Sequence, residues 1–143
     1  MLKFQITLTN TTIKPLPKYN NVLLIDDNEV NNLLHERLIE LSDFGKHVKV
    51  IQHAPDAIQY LLQVANQPES IPDIIFLDIR MPIMDGFGFL DEFQKMPDSI
   101  RRNTKIILLS STLDPNDNAR AALYPEVIKM MIKPLNMGQL ASL

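Results

Sequence analysis

Apolar residues in this chain come in short blocks, and most blocks are stopped abruptly by polar ones. Val22-Leu23-Leu24-Ile25 runs into Asp26-Asp27, Ile74-Ile75-Phe76-Leu77 into Asp78, Ile106-Ile107-Leu108-Leu109 into Ser110, and Met130-Met131-Ile132 into Lys133-Pro134. Near-continuous apolar runs of this length are the signature of strands buried on both faces. The pattern predicts strands over 21–26, 47–52, 73–78, 104–109 and 127–132. Helix-period segments fill the gaps. They are 28–41, with Val30, Leu33, Leu34, Leu38 and Leu41 on one face; 55–66, with Ala57, Ile58, Leu61, Leu62 and Ala65; then 86–95, 115–123 and a short last helix from about 136. Pro55 and Pro115 suit a first helical turn, Asp114 can cap the helix that follows it, and Asp85-Gly86 makes a turn before the third helix.

Strand and helix alternate five times, which predicts an α/β fold: a doubly wound, five-stranded parallel sheet with helices on both faces. Right-handed crossovers bring the C-terminal ends of all the strands to one edge, where open α/β sheets bind their ligands. Carboxylates, a hydroxyl and an ammonium group would meet there. Residues 1–20 stand apart from this pattern as an N-terminal arm preceding a single domain over 21–143. In the arm Leu2, Phe4, Ile6 and Leu8 alternate with polar residues, and the stretch from Thr11 to Asn20, with Pro15 and Pro17, reads as a linker. The arm is either an extra edge strand or a tail.

Composition narrows the function classes. At 143 residues there is room for one well-buried core and no second module. A formal net charge of −3 gives no electrostatic reason to expect nucleic acid or an anionic membrane as partner, and Arg101, Arg102 and Lys105 form a small cluster read as solvated loop. Cysteine is absent, which removes disulfides and thiolate metal sites. No apolar stretch is long enough to span a bilayer and the N-terminus lacks a signal-peptide core, so a cytoplasmic protein is expected. No Gly-rich phosphate loop follows the first strand, which counts against dinucleotide, flavin and P-loop readings.

An Asp after a strand commonly caps the next helix, and Asp26 alone would read so. The second carboxylate, Asp27, changes the balance, because adjacent acids at a strand end repel unless a cation neutralises them; a hard divalent ion with oxygen ligands is the natural partner. Asp78 on the same edge would complete an all-oxygen site. Ser110 competes with Ser111 and Thr112 for any role as the hydroxyl. Lys133 at the end of a buried strand offers a point charge suited to a phosphoryl oxygen, and Pro134 allows a cis peptide beside it. His35, His47 and His53 share no metal-ligand spacing and are expected on the helix surface or at strand ends.

Taken in order, the acidic pair, the segment Asp78-Ile79-Arg80-Met81-Pro82-Ile83-Met84-Asp85-Gly86, the strand-end Ser110 and Lys133-Pro134 resemble the receiver domain of two-component response regulators, the CheY-like superfamily, over about 21–143. The resemblance implies a flavodoxin-like sheet of strand order 2-1-3-4-5. It implies that Asp78 is the phosphoacceptor and that Mg²⁺ is held by Asp27 and Asp78 directly, by Asp26 through water, and by the backbone carbonyl of Arg80. Ser110 would turn toward the phosphoryl group and Lys133 would pair with one of its oxygens. The Arg80 side chain would partly cover the acyl phosphate.

The implied partner is a histidine kinase or a histidine phosphotransfer protein, and the downstream protein target is unspecified. Two departures stand out. Met130 occupies a position that is usually aromatic, and only nine residues follow Pro134, too few for the usual closing helix. Apolar surface near the fifth strand is therefore expected to be covered by the arm or by a second copy docking through Tyr124, Met130, Met137 and Leu140, with a homodimer preferred. The competing readings are a haloacid-dehalogenase-like phosphatase, whose nucleophile is followed two residues on by a second acid where this chain has Arg80, and a pseudo-receiver that binds partners without being phosphorylated.

Overall fold

The computed structural model describes residues 16–143. Its five strands are β1 (Tyr19–Ile25), β2 (Gly45–Ile51), β3 (Ile74–Asp78), β4 (Lys105–Ser110) and β5 (Val127–Ile132). The helices are α1 (Glu29–Leu41), α2 (Ala54–Val64), α3 (Gly86–Phe93), the single turn α4 (Asp98–Arg101), α5 (Pro115–Ala121) and α6 (Met137–Ala141). All strand pairs are parallel, in the order β2-β1-β3-β4-β5. This is the predicted sheet, with its strand C-termini on one edge. The arm expected over 1–20 falls largely outside the described residues. Among those residues no helix is long and apolar enough to cross a membrane.

The three central strands explain the continuous apolar runs. Leu23 and Ile25 of β1, Ile75 and Leu77 of β3, and Ile106 and Leu108 of β4 face one core with α2 and α3. Their neighbours Val22, Leu24, Ile74, Phe76, Ile107 and Leu109 face a second core with α1 and α6. Side chains alternate across a strand, so a strand buried on both faces must be apolar throughout. Each such side chain taken out of water contributes roughly 1.5–3 kcal/mol.

The α1 helix departs from expectation. Val30, Leu33, Leu34 and Leu41, predicted as its core face, are exposed, while Asn32, His35 and Ile39 are buried. The helix is turned so that its polar side meets the sheet, and two hydrogen bonds, one local and one to the far end of the chain, account for it. Asn32 Nδ2 donates to the carbonyl of Asp26 at 2.7 Å. His35 Nε2 accepts from the backbone N–H of Leu135, just past β5, at 3.3 Å. His35 is therefore a buried link between α1 and the segment after β5, not the surface residue expected; His47 and His53 are exposed as expected.

One further expectation is corrected and another is met in part. Arg101 is not solvated loop: it lies on α4 and pairs with Glu126 at 3.2 Å, while Glu126 also accepts from Gln94 at 2.6 Å. The short α6 closes its own face, while apolar surface at Ile128 and Ile132 of β5 and at Met137 stays exposed, as expected. Leu135 and Leu140 are buried in the second core and Tyr124 and Met130 pack partly against the first, leaving Met137 as the exposed member of the predicted docking set.

Burial, ahead of the opposing pull of Asp26, holds the His35 imidazole below its ordinary value near 6.5. The unfolded chain then takes up a proton that the folded chain refuses as pH falls from about 6.5, so stability drops by up to about 1.4 kcal/mol per pH unit until the folded imidazole titrates. Urea midpoints measured between pH 7 and 5 should decline, and His35→Gln, which keeps an acceptor but does not titrate, should flatten that decline.

Candidate functional site

Each candidate side chain is delivered by the end of its own strand. Asp26 and Asp27 follow β1, Asp78 ends β3, Ser110 ends β4 and Lys133 follows β5. The β1–β3 register sets Ile25 beside Leu77, and the β3–β4 register sets Asp78 beside Leu109. Carboxylate oxygens of Asp26, Asp27 and Asp78 all lie within 4.8 Å of one another. Asp26 and Asp78 are buried, whereas Asp27 is exposed at the rim.

Lys133 Nζ joins two of the three acids, at 3.2 Å from Asp26 Oδ2 and 3.1 Å from Asp78 Oδ1. Burial and then the Asp26 charge push the Asp78 carboxyl up, opposed by its hydrogen bond to Lys133 and the charge of that ammonium. Lys133 is in turn held above its ordinary value: burial lowers it, but Asp78 and Asp26 together outweigh that effect. Three carboxylates against one ammonium leave negative charge uncompensated at a site closed on one side by protein. Oxygen donors so arranged fit a hard divalent cation.

The surrounding backbone holds these groups in place. Asp26 Oδ1 accepts the N–H of Asn28 at 2.9 Å, and Asn28 in turn caps α1 through the N–H of Asn31. Asp85 caps α3 by accepting the N–H of Gly88 at 2.8 Å. Gly86 begins that helix against the phosphoacceptor-candidate strand, and a Cβ there would stand 2.7 Å from the carbonyl oxygen of Asp78. Only glycine lets α3 start so close to the site. The Lys133–Pro134 peptide is cis, and the N–H of Lys133 donates to the carbonyl of Ser110 at 2.8 Å.

Ser110 is buried, whereas Ser111 and Thr112 are exposed. Its hydroxyl donates to the carbonyl of Thr112 at 2.7 Å and accepts the N–H of Thr112 at 3.2 Å, so it is engaged with its own loop. The Arg80 N–H makes a long contact of 3.4 Å to Asp78 Oδ1, while its side chain reaches out to Asp117. Sequence reasoning passed over Asn32 and placed His35 at the surface, yet both brace the site from α1; helix periodicity alone gives no sign of a polar residue facing a sheet.

The family model described as the response regulator receiver domain matches residues 22–143. The chain belongs to the response regulator receiver domain family. A two-component response regulator from Cytophaga hutchinsonii is similar at TM-score 0.81 and 30% identity, covering 87% of this chain and 92% of that one. The receiver domain of the histidine kinase CKI1 from Arabidopsis thaliana, solved in complex with Mg²⁺, is similar at TM-score 0.74 and 25% identity, with 89% and 90% covered. A probable methanogenesis regulatory protein from Methanothrix harundinacea is 29% identical over 83% of this chain and 75% of its own length. A protein-glutamate methylesterase/protein-glutamine glutaminase from Burkholderia thailandensis is 34% identical over 79% of this chain but only 29% of its own length. This receiver domain is a signalling module whose relatives support a phospho-accepting role, and these comparisons lend no support to the phosphatase or pseudo-receiver readings.

Proposed function

We propose that Asp78 of this receiver takes a phosphoryl group from a phosphohistidine of a kinase or phosphotransfer protein, and that Asp26, Asp27, Asp78 and the carbonyl of Arg80 hold Mg²⁺. The observation that carries the reading is the ammonium of Lys133 bridging Asp26 and Asp78, with Asp27 inside the same 4.8 Å cluster. A carboxylate oxygen of Asp78 attacks phosphorus in line. The phosphorus–nitrogen bond breaks, its electron pair leaves with the donor imidazole, and an acyl phosphate remains on Asp78.

Lys133 is already at hydrogen-bond distance from the attacking carboxylate and stabilises charge as the phosphoryl oxygens arrive. Bound Mg²⁺ would supply the remaining electrostatic neutralisation. Ser110 changes partners, leaving the carbonyl of Thr112 for a phosphoryl oxygen. The loop after β4 moves with it, and Met130 on β5 stands where the packing change would be transmitted.

The donor would dock on apolar surface beside the acids. Val30, Leu33 and Leu34 are 64%, 60% and 56% exposed on the first turns of α1, and Ile83 in the β3–α3 loop is 94% exposed. Ile83 also sits at φ 70°, a conformation that a β-branched residue adopts only at a cost. A second copy is a further partner of this reading, seated on the groove of about 560 Å³ lined by Leu16, Leu41, Met137 and Leu140.

Acetyl phosphate with Mg²⁺ should add one phosphoryl group to the wild type and none to Asp78→Asn, read by intact-protein mass; undiminished labelling of the variant rejects Asp78. Replacing Ile83 with Asn should relieve the backbone and raise the melting temperature, yet slow transfer from a phosphohistidine protein about tenfold while leaving the acetyl phosphate rate unchanged, the mark of a lost interface anchor. Equal rates from both donors would remove Ile83 from the docking surface. Light scattering should report a mass that rises toward twice the monomer with concentration and falls back in Met137→Asp; a constant monomer would dismiss the second copy.

A further inference from the structure

We infer that Asp117 is a positioning residue for the phosphorylated state: it holds the Arg80 guanidinium away from Asp78 in the resting receiver and competes with the phosphoryl group for it. The inference rests on the reading of Asp78 as phosphoacceptor. Arg80 lies two residues beyond Asp78 and is anchored at both ends. Its N–H touches Asp78 Oδ1 at 3.4 Å, and its Nη2 meets Asp117 Oδ2, on the first turn of α5, at 3.0 Å. One side chain thus ties the rim of the acidic site to α5, 37 positions away in the sequence.

The two ends of the ion pair differ. The Asp117 side chain is 12% exposed while that of Arg80 is 61% exposed. The carboxylate is fixed within the packing of α5 and the guanidinium stands in water, so the mobile partner is Arg80. The contact uses a single nitrogen, and an ion pair so open to solvent is weak.

A phosphoryl group on Asp78 would present close to two negative charges and three acceptor oxygens, a target that a planar guanidinium grips with two parallel bonds. Lys133, already shared between Asp26 and Asp78, and Ser110 would each take one phosphoryl oxygen, but each oxygen accepts more than one bond and the solvent-facing acceptors are left for Arg80. Arg80 should therefore leave Asp117 and fold over the acyl phosphate, shielding phosphorus from water.

Two consequences follow. Hydrolysis of the acyl phosphate, in which water attacks phosphorus and the carboxylate of Asp78 departs, slows in proportion to the time Arg80 spends on the phosphoryl group. The first turn of α5 loses its tether, while its last turn stays fixed to α3 by Arg120 over the Phe87 ring at 4.3 Å and by Tyr124 beyond the helix, whose hydroxyl meets Asp91 at 2.5 Å. Asp117 in this way sets both the lifetime of the signal and where the released motion begins.

The test compares decay of the acyl phosphate in wild type, Arg80→Ala, Asp117→Asn and the double variant, each loaded with acetyl phosphate and Mg²⁺. Freed Arg80 should slow decay in Asp117→Asn by about threefold, the size of one exposed ion pair. Arg80→Ala should speed decay, and the double variant should match Arg80→Ala alone, because Asp117 acts only through Arg80. Asp117→Glu should restore decay toward wild type, a rescue that a merely structural role does not predict. Unchanged decay in a folded Asp117→Asn, or effects of the two substitutions that simply add, would overturn the inference. Should Asp117→Asn not fold, Arg80→Lys decides instead: a single ammonium cannot grip the phosphoryl group with two parallel bonds as the guanidinium does, and decay equal to wild type in that variant would overturn the inference. Loading that survives Asp78→Asn would overturn the phosphoacceptor reading and this inference with it, whereas normal loading with additive decay overturns this inference alone.

Discussion

Charge crowding at the C-terminal edge of the sheet is the constraint on which the rest of the receiver depends. Parallel pairing of β1 with β3 forces the carboxylates that end those strands to share one small volume, and burial makes their mutual repulsion expensive. Lys133 stands between Asp26 and Asp78 and relieves it in part. Removing a charged partner from such a cluster leaves an uncompensated buried charge, which typically costs about 3–5 kcal/mol. The site is thus held in a state that any further cation or anion must alter, and a protein with that property is suited to be written to and erased.

What surrounds the site translates a change of charge into a change of position. Lys133 and Ser110 are joined through their backbones, Ser110 is bonded to its own loop through Thr112, and Asp26 is tied through its carbonyl to Asn32 on α1. None of these bonds is strong alone. Together they ensure that the charged groups cannot shift without moving β4, α1 or the segment after β5.

Much of this was legible in the sequence because buried parallel strands have little freedom of composition. The runs around Leu24, Phe76 and Leu108 could hardly be anything but central strands, and once their order follows the crossover rule, Asp26, Asp27, Asp78, Ser110 and Lys133 fall on one edge. The strand starts on one side of the sheet were less clear: β1 begins at Tyr19 and β2 at Gly45, each two residues before its expected start, whereas the edge strand β5 spans 127–132 as expected. The single turn of α4 was missed, since four residues carry too little periodicity to register. The orientation of α1 was misread for a sharper reason. Periodicity reports that apolar residues share a face; it does not report whether that face meets the core or a partner, and here Asn32 and His35 won the interior through specific hydrogen bonds.

That outcome gives α1 an unusual rotational problem. A helix with leucines on one side and Asn32 and His35 on the other has a second way to lie on the sheet, rolled by about half a turn, which would bury Leu33, Leu34 and Leu41 and look better by hydrophobic area alone. The native roll is selected instead by two hydrogen bonds, one to the carbonyl of Asp26 and one from the N–H of Leu135. Polar contacts here act as an index pin. They contribute little to how tightly the helix is held and a great deal to which way it faces, so the fidelity of α1 resides in the least hydrophobic residues of its buried side.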